Sequence, residues 1–124
     1  MTAIVATTSV DVCAVDRLTP ELGGAVLVDG RQIALFRLAD DRIFAIQNLC
    51  PFSGANVMSR GITGSRGEVP TIASPIYKQV FSLVTGECLA TMDKETVDGL
   101  EPHLVTYPVS VDNGRVILHL AGPS

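Results

Sequence analysis

The chain has 124 residues, 47% of them apolar, and a net charge of −4; this suits one domain around one core. No apolar run approaches the roughly 20 residues of a membrane-spanning helix, and an acidic balance without clustered Lys and Arg speaks against nucleic acid. Cys13, Cys50 and Cys88 are odd in number and far apart, which is no disulfide framework and suits reduced thiols in a cytoplasmic protein.

Residues 1–9 are small and Thr-rich, with no basic start and no long apolar stretch. They read as a flexible tail without an export or organelle signal, ahead of a single domain at 10–121. Thr19-Pro20-Glu21-Leu22 suggests one helical turn capped by Thr19 and stopped by Gly23-Gly24. Beyond it the pattern is β almost throughout. Ala25–Val28 and Arg31–Leu38 flank Asp29-Gly30, a pair suited to a type I′ hairpin turn. Ile33, Leu35 and Arg37 fall on one face, and Ala34, Phe36 and Leu38 on the other. Arg42–Gln47 follows after Asp40-Asp41, with Phe44 and Ile46 on one face. Asn56–Ser59 suggests a short turn. Ser59–Pro70, rich in Gly, Ser and Arg, reads as a long exposed loop. Thr85-Gly86 marks a turn between Val80–Val84 and Glu87–Ala90. Val105, Tyr107, Val109 and Val111 alternate with polar residues up to Asn113-Gly114. Val116, Leu118 and Leu120 then alternate in a last strand. Pro108 removes a ladder donor, which places its strand at an edge or a bulge.

Charge is unevenly spread along the chain. Residues 42–82 sum to +3 through Arg42, Arg60, Arg66 and Lys78 against Glu68, whereas residues 83–102 sum to −4. Glu95, Asp98 and Glu101 read as a solvated acidic loop. Cys50 has no neighbouring His to activate it as a nucleophile. Tyr77-Lys78 lacks the Gly-rich loop of a dinucleotide site.

Two Pro-containing segments fit neither strand nor turn: Asn48–Ala55 and Ala73–Gln79. Cys50-Pro51-Phe52-x-Gly54-Ala55 and Ser74-Pro75-Ile76-Tyr77-Lys78-Gln79-x-Phe81 resemble the paired boxes of Rieske-type domains, C-P-H-x-G-A and C-P-x-H-G-x-x-F. In those domains two Cys and two His hold a [2Fe–2S] cluster. The 21 residues between Phe52 and Ser74 are compatible with that family. The ligands do not carry over. Cys50 stands at the first Cys position, Phe52 at the first His, Ser74 at the second Cys and Tyr77 at the second His. Phe has no donor atom, and Ser and Tyr hydroxyls ionise only at high pH. No metal, no cofactor and no catalytic residue are therefore expected in this chain. Phe52 and Tyr77 are expected to fill the space of a cluster, beside the small Cys50 and Ser74.

The fuller pattern resembles the small subunit of the assimilatory NADH-dependent nitrite reductase. There D-P-F-S-x-A-N-V-x-S-R-G and A-S-P-x-Y-K-Q-x-F replace the Rieske boxes, and Cys50 here takes the place of that Asp. The resemblance runs from about Val12 to Leu120. It implies an all-β, Rieske-like antiparallel sandwich or barrel with the two Pro-containing loops at one end. It also implies a cytoplasmic, non-catalytic subunit beside a large catalytic subunit. That large subunit carries FAD, an iron–sulfur cluster and sirohaem, and reduces nitrite to ammonium with NAD(P)H. Neither nucleic acid nor membrane enters this reading. The loop end, with Phe52, Arg60, Tyr77 and Lys78, is expected to dock on the large subunit. A Rieske ferredoxin feeding an oxygenase and a free-standing β binding domain are the alternatives.

Overall fold

A computed structural model describes residues 8–28, 30–97 and 99–120. Its strands are β1 (Thr8–Ala14), β2 (Gly23–Val28), β3 (Arg31–Arg37), β4 (Ile43–Gln47), β5 (Ile62–Arg66), β6 (Val69–Ala73), β7 (Val80–Ser82), β8 (Cys88–Ala90), β9 (Thr106–Tyr107), β10 (Val109–Asp112) and β11 (Arg115–Leu120). They form three antiparallel sheets, ordered β1-β11-β10, β2-β3-β4-β9 and β5-β6-β7-β8. The only helical segments among the described residues are single 3-10 turns at Val15–Arg17 and Met58–Arg60. Among the described residues no helix is long and apolar enough to cross a membrane.

β3 is the shared wall of two cores. Its residues Ile33 and Leu35 pack with Leu18, Ala45, Val116, Leu118 and Leu120. Ala34 and Phe36, on the opposite face, pack with Ile46, Met58, Ile72, Phe81, Leu83 and both loop residues Cys50 and Phe52. A strand covered on both faces needs apolar residues in succession, and Ile33 to Phe36 is such a run, fully buried. The second core ties the first of the two loops directly to the scaffold.

Several elements differ from the sequence reading. The chain is already in β1 at Thr8 and Ser9, paired with Leu120 and His119; residues 1–7 lie outside the described part. Thr19–Leu22 is a turn and not helical: Leu22 N donates to Thr19 O at 3.1 Å, while the Glu21 amide is drawn onto Arg37 O at 2.7 Å. Glu21 consequently takes φ +69°. The expected loop at 59–70 is largely the β5–β6 hairpin, turned at Gly67 with φ +61°. β5 is an edge strand exposed along most of its length, so nothing forces its residues to alternate. The expected strand from Val105 to Val111 changes sheets at Pro108: Tyr107 pairs with Ala45 in one sheet and Val109 with Leu118 in another. The missing proline N–H falls at that switch, and Val105 and Val111 are left exposed. The Asp29-Gly30 hairpin pairs Val28 with Arg31 as expected from a two-residue turn, Asp29 itself being outside the described residues. Asp98 of the acidic loop is also outside them.

Candidate functional site: a closed pair of loops

The first loop leaves β4 at Asn48, and an isolated bridge between Leu49 and Asn56 pinches its base. Within it Gly54 N donates to Cys50 O at 2.8 Å and Cys50 N to Ala55 O at 2.8 Å. Gly54 holds φ +75°, a conformation that glycine adopts without strain. The Val97 amide donates to Pro51 O at 2.9 Å, which ties this loop to the 91–100 segment. The second loop follows β6. Ser74 N donates to Gln79 O at 2.9 Å, Lys78 N to Ser74 O at 3.1 Å, and Ile76 N to Ser74 Oγ at 3.3 Å.

Asn48 fastens the first loop, and the sequence patterns did not single it out. Its side chain is buried and makes three bonds: Nδ2 donates to Gln32 Oε1 at 3.1 Å and to Asn56 O at 3.2 Å, and Oδ1 accepts from Ser59 N at 2.7 Å. Replacing it by Ala strands the Asn56 carbonyl, the Ser59 amide and the Gln32 side chain. Asn48→Ala is expected to cost about 2–3 kcal/mol in urea unfolding. Gln79, also buried, reaches across with Nε2 to Thr91 O at 3.4 Å. The only available signal for Asn48 was its position at the foot of a loop, whereas Gln79 stands at the Q of the A-S-P-x-Y-K-Q-x-F pattern.

The structure brings Cys50, Phe52 and Ser74 together. Cys50 Sγ lies 3.4 Å from Ser74 Oγ, and both residues are buried. Phe52 is only 4% exposed and packs on Phe81 with ring centroids 6.0 Å apart. It fills the interior as expected, but it offers no surface for docking, which corrects its expected role as a partner contact. Tyr77 does not join this packing. It is 43% exposed, with the Lys94 ammonium 4.8 Å from its ring centroid, in the range of a cation–π contact. Lys78 is exposed at the same tip. Arg60 is exposed too, but it lines a separate cleft of about 1000 Å³ with Glu21, Asp40, Arg42 and Glu68. Three acids there stand against two arginines, and Arg42 is already paired with Asp40 at 2.8 Å. The locally basic run of the sequence is therefore not a basic face around Arg60.

The residues present do not fit a [2Fe–2S] cluster. At metal–sulfur bonds near 2.3 Å, two thiolates on one tetrahedral ion stand about 3.8 Å apart. The 3.4 Å between Cys50 and Ser74 is close to that spacing, but Ser74 brings no thiolate, so one iron would have a single sulfur ligand. The other iron has nothing: Phe52 is turned into the core without a donor atom, and Tyr77 is turned out. His103 accepts from the Cys88 amide at 3.1 Å, and His119 sits between Ser9 and Ser110 on the three-stranded sheet. Among the described residues no three His, Cys, Asp or Glu gather as a metal site. Burial pushes the Cys13 and Cys88 thiols above their ordinary pKa, which keeps them protonated and unreactive near neutral pH.

One backbone feature stands out at the tip. Lys78 has φ +64° and occupies the position of the glycine in the pattern C-P-x-H-G. The loop makes a left-handed turn here without the residue type that adopts it freely.

Residues 8–119 match the family of Rieske-like [2Fe-2S] domains. The nitrite reductase (NADH) small subunit of Escherichia coli K12 is 39% identical over 80 residues, which cover 64% of this chain and 74% of that protein. The nitrite reductase [NAD(P)H] large subunit of Klebsiella oxytoca is 39% identical over 105 residues, or 85% of this chain. The chain spans only 10% of the length of that relative. The NMR structure of the E. coli protein NirD superposes with a TM-score of 0.77 at 32% identity, covering 96% of this chain and all of that one. The ferredoxin component of the naphthalene 1,2-dioxygenase/salicylate 5-hydroxylase systems of Ralstonia sp. is similar as well, 35% identical over 77% of this chain and 79% of its own length. An antiparallel β fold, the paired loops and these likenesses together make the chain a member of the Rieske-like domain family, similar within it to the nitrite reductase small subunits.

Proposed function

We propose that this chain is the non-catalytic small subunit of a cytoplasmic NAD(P)H-dependent nitrite reductase, and that it assembles with a large subunit that reduces nitrite to ammonium. The observation that carries the reading is the loop pair, which keeps its shape and its attachment to the core while its interior is closed by Phe52 and Ser74. A chain built this way contributes by binding and not by relaying electrons. The likeness to a segment of the Klebsiella large subunit supports it: there a domain of this kind belongs to the same polypeptide as the rest of that protein. In a two-subunit arrangement the same position is reached by docking. FAD, the iron–sulfur cluster and sirohaem belong, in this reading, to the large subunit.

The docking surface is the loop end, narrowed to the exposed Ile76, Tyr77 and Lys78. Phe52 supports it from beneath, and Arg60 belongs to the separate cleft. Purified large subunit, assayed for nitrite-dependent NAD(P)H oxidation with and without this chain, provides the test. Complex formation with a rise in activity or in retained cofactor is expected. No complex, with activity and cofactor content unchanged, would discard the reading.

The aromatic at the tip gives a second prediction. Tyr77→Ala removes a ring that is nearly half exposed, so stability should change by less than about 1 kcal/mol. Affinity for the large subunit should fall about tenfold or more, as for an exposed aromatic in an interface. Titration of the complex by calorimetry measures it.

A further inference from the structure

Glu21 and Lys78 are both non-glycine residues in the left-handed region, where an L side chain crowds the following carbonyl. Glu21 has a use for its side chain within the fold. Its carboxylate accepts from the Ala39 amide at 3.1 Å and from the Thr63 hydroxyl. Lys78 has no such use: among the described residues its ammonium makes no hydrogen bond or ion pair, and it is exposed. Its backbone amide closes the loop onto Ser74 O, a task glycine would perform without strain. Residues 74–79 contain one cation and no acid. Met92 and Asp93, left-handed as well, form the turn just before Lys94, whose ammonium lies over the Tyr77 ring. Strained residues at an exposed tip thus carry or present two ammonium groups beside one phenol.

We propose that Lys78 stands at this strained position for its ammonium, which recognises surface carboxylates of the large subunit beside the Tyr77 ring, while Lys94, flanked by Asp93 and Glu95, serves to hold that ring. This rests on the assembly reading above and names its chemistry. Strain kept at one residue is accounted for when its side chain is needed outside the fold. The contact is between charges at a rim, so it sets association and salt dependence more than it sets the fold.

The test compares the full-length chain, Lys78→Gly and Lys78→Arg, in urea unfolding and in binding to purified large subunit over a salt series. Lys78→Gly should raise the folding equilibrium constant about tenfold. It should also weaken binding about tenfold at low salt and flatten the salt dependence. Lys78→Arg should keep the affinity and the salt dependence. Lys78→Gly that binds like the wild type, or that gains no stability, overturns the inference while the assembly reading stands. Arg failing as badly as Gly also overturns it. A wild-type chain that does not bind the large subunit at all overturns the assembly reading first.

Discussion

Phe52→Ala is expected to lower stability by about 3–4 kcal/mol, the cost of emptying a large aromatic site in a packed core. The ring is 4% exposed and belongs to the cluster of Phe36, Ile72, Phe81 and Leu83 beneath both loops. Its loss leaves a void between the loop pair and β7, and the tilted contact with Phe81 goes with it. For a domain of this size the melting temperature should fall by about 10–15 °C. Thermal unfolding followed by circular dichroism reads the effect directly. Beside the small effect expected of Tyr77→Ala, it separates two aromatics that occupy equivalent positions in the sequence pattern. A melting temperature within about 2 °C of wild type would mean that the loops stand without the ring.

Phe52→His, Ser74→Cys and Tyr77→His introduced together should turn the chain into a cluster-binding protein. The argument is the spacing of the first pair. Cys50 and Ser74 stand 3.4 Å apart, close to what two thiolates on one iron require; Ser74→Cys gives up the bond from Ile76 N to Ser74 Oγ, but the backbone bonds of Gly54 N to Cys50 O, Ser74 N to Gln79 O and Lys78 N to Ser74 O remain. Removing Phe52 opens the interior, and histidines at 52 and 77 supply the nitrogen donors of the second iron. After reconstitution with iron and sulfide, a brown protein with a resonance signal on reduction is expected. The single variant Ser74→Cys should stay without the cluster, because the second iron still lacks both ligands. A folded but colourless triple variant would show that the retained loop geometry does not suffice.

Much of this site was legible in the sequence, because the informative residues act through properties any neighbour would feel. Pro51, Gly54 and Pro75 restrict or free the backbone wherever they occur, and a phenylalanine in place of a histidine has no donor in any environment. The C-terminal hairpin was legible for the same reason: Asn113-Gly114 turns, with φ +52° and +75°, into a last strand whose apolar residues alternate. What failed to show was whatever depends on distant chain. Tyr77 and Phe52 look alike in the pattern, yet one is core and the other surface, since Phe81 lies inside and Lys94 outside. The arginines at 42, 60 and 66 read as a basic run, but Arg42 is paired with Asp40 in its own turn, and the fold brings Glu21 from distant chain into the cleft that Arg60 lines. The β5–β6 hairpin was hidden because an exposed edge strand carries no alternation. The strain at Lys78 was invisible, since lysine gives no hint of a positive φ.

The account stands most directly on the iron content of the chain purified alone, without oxygen and without its partner. Colorimetric iron and acid-labile sulfide, measured against protein concentration, are expected to be far below one per chain, with no resonance signal after reduction. Two irons and two sulfides bound per chain would contradict it, because the loops would then be held by metal and not by the packing of Phe52 and Ser74.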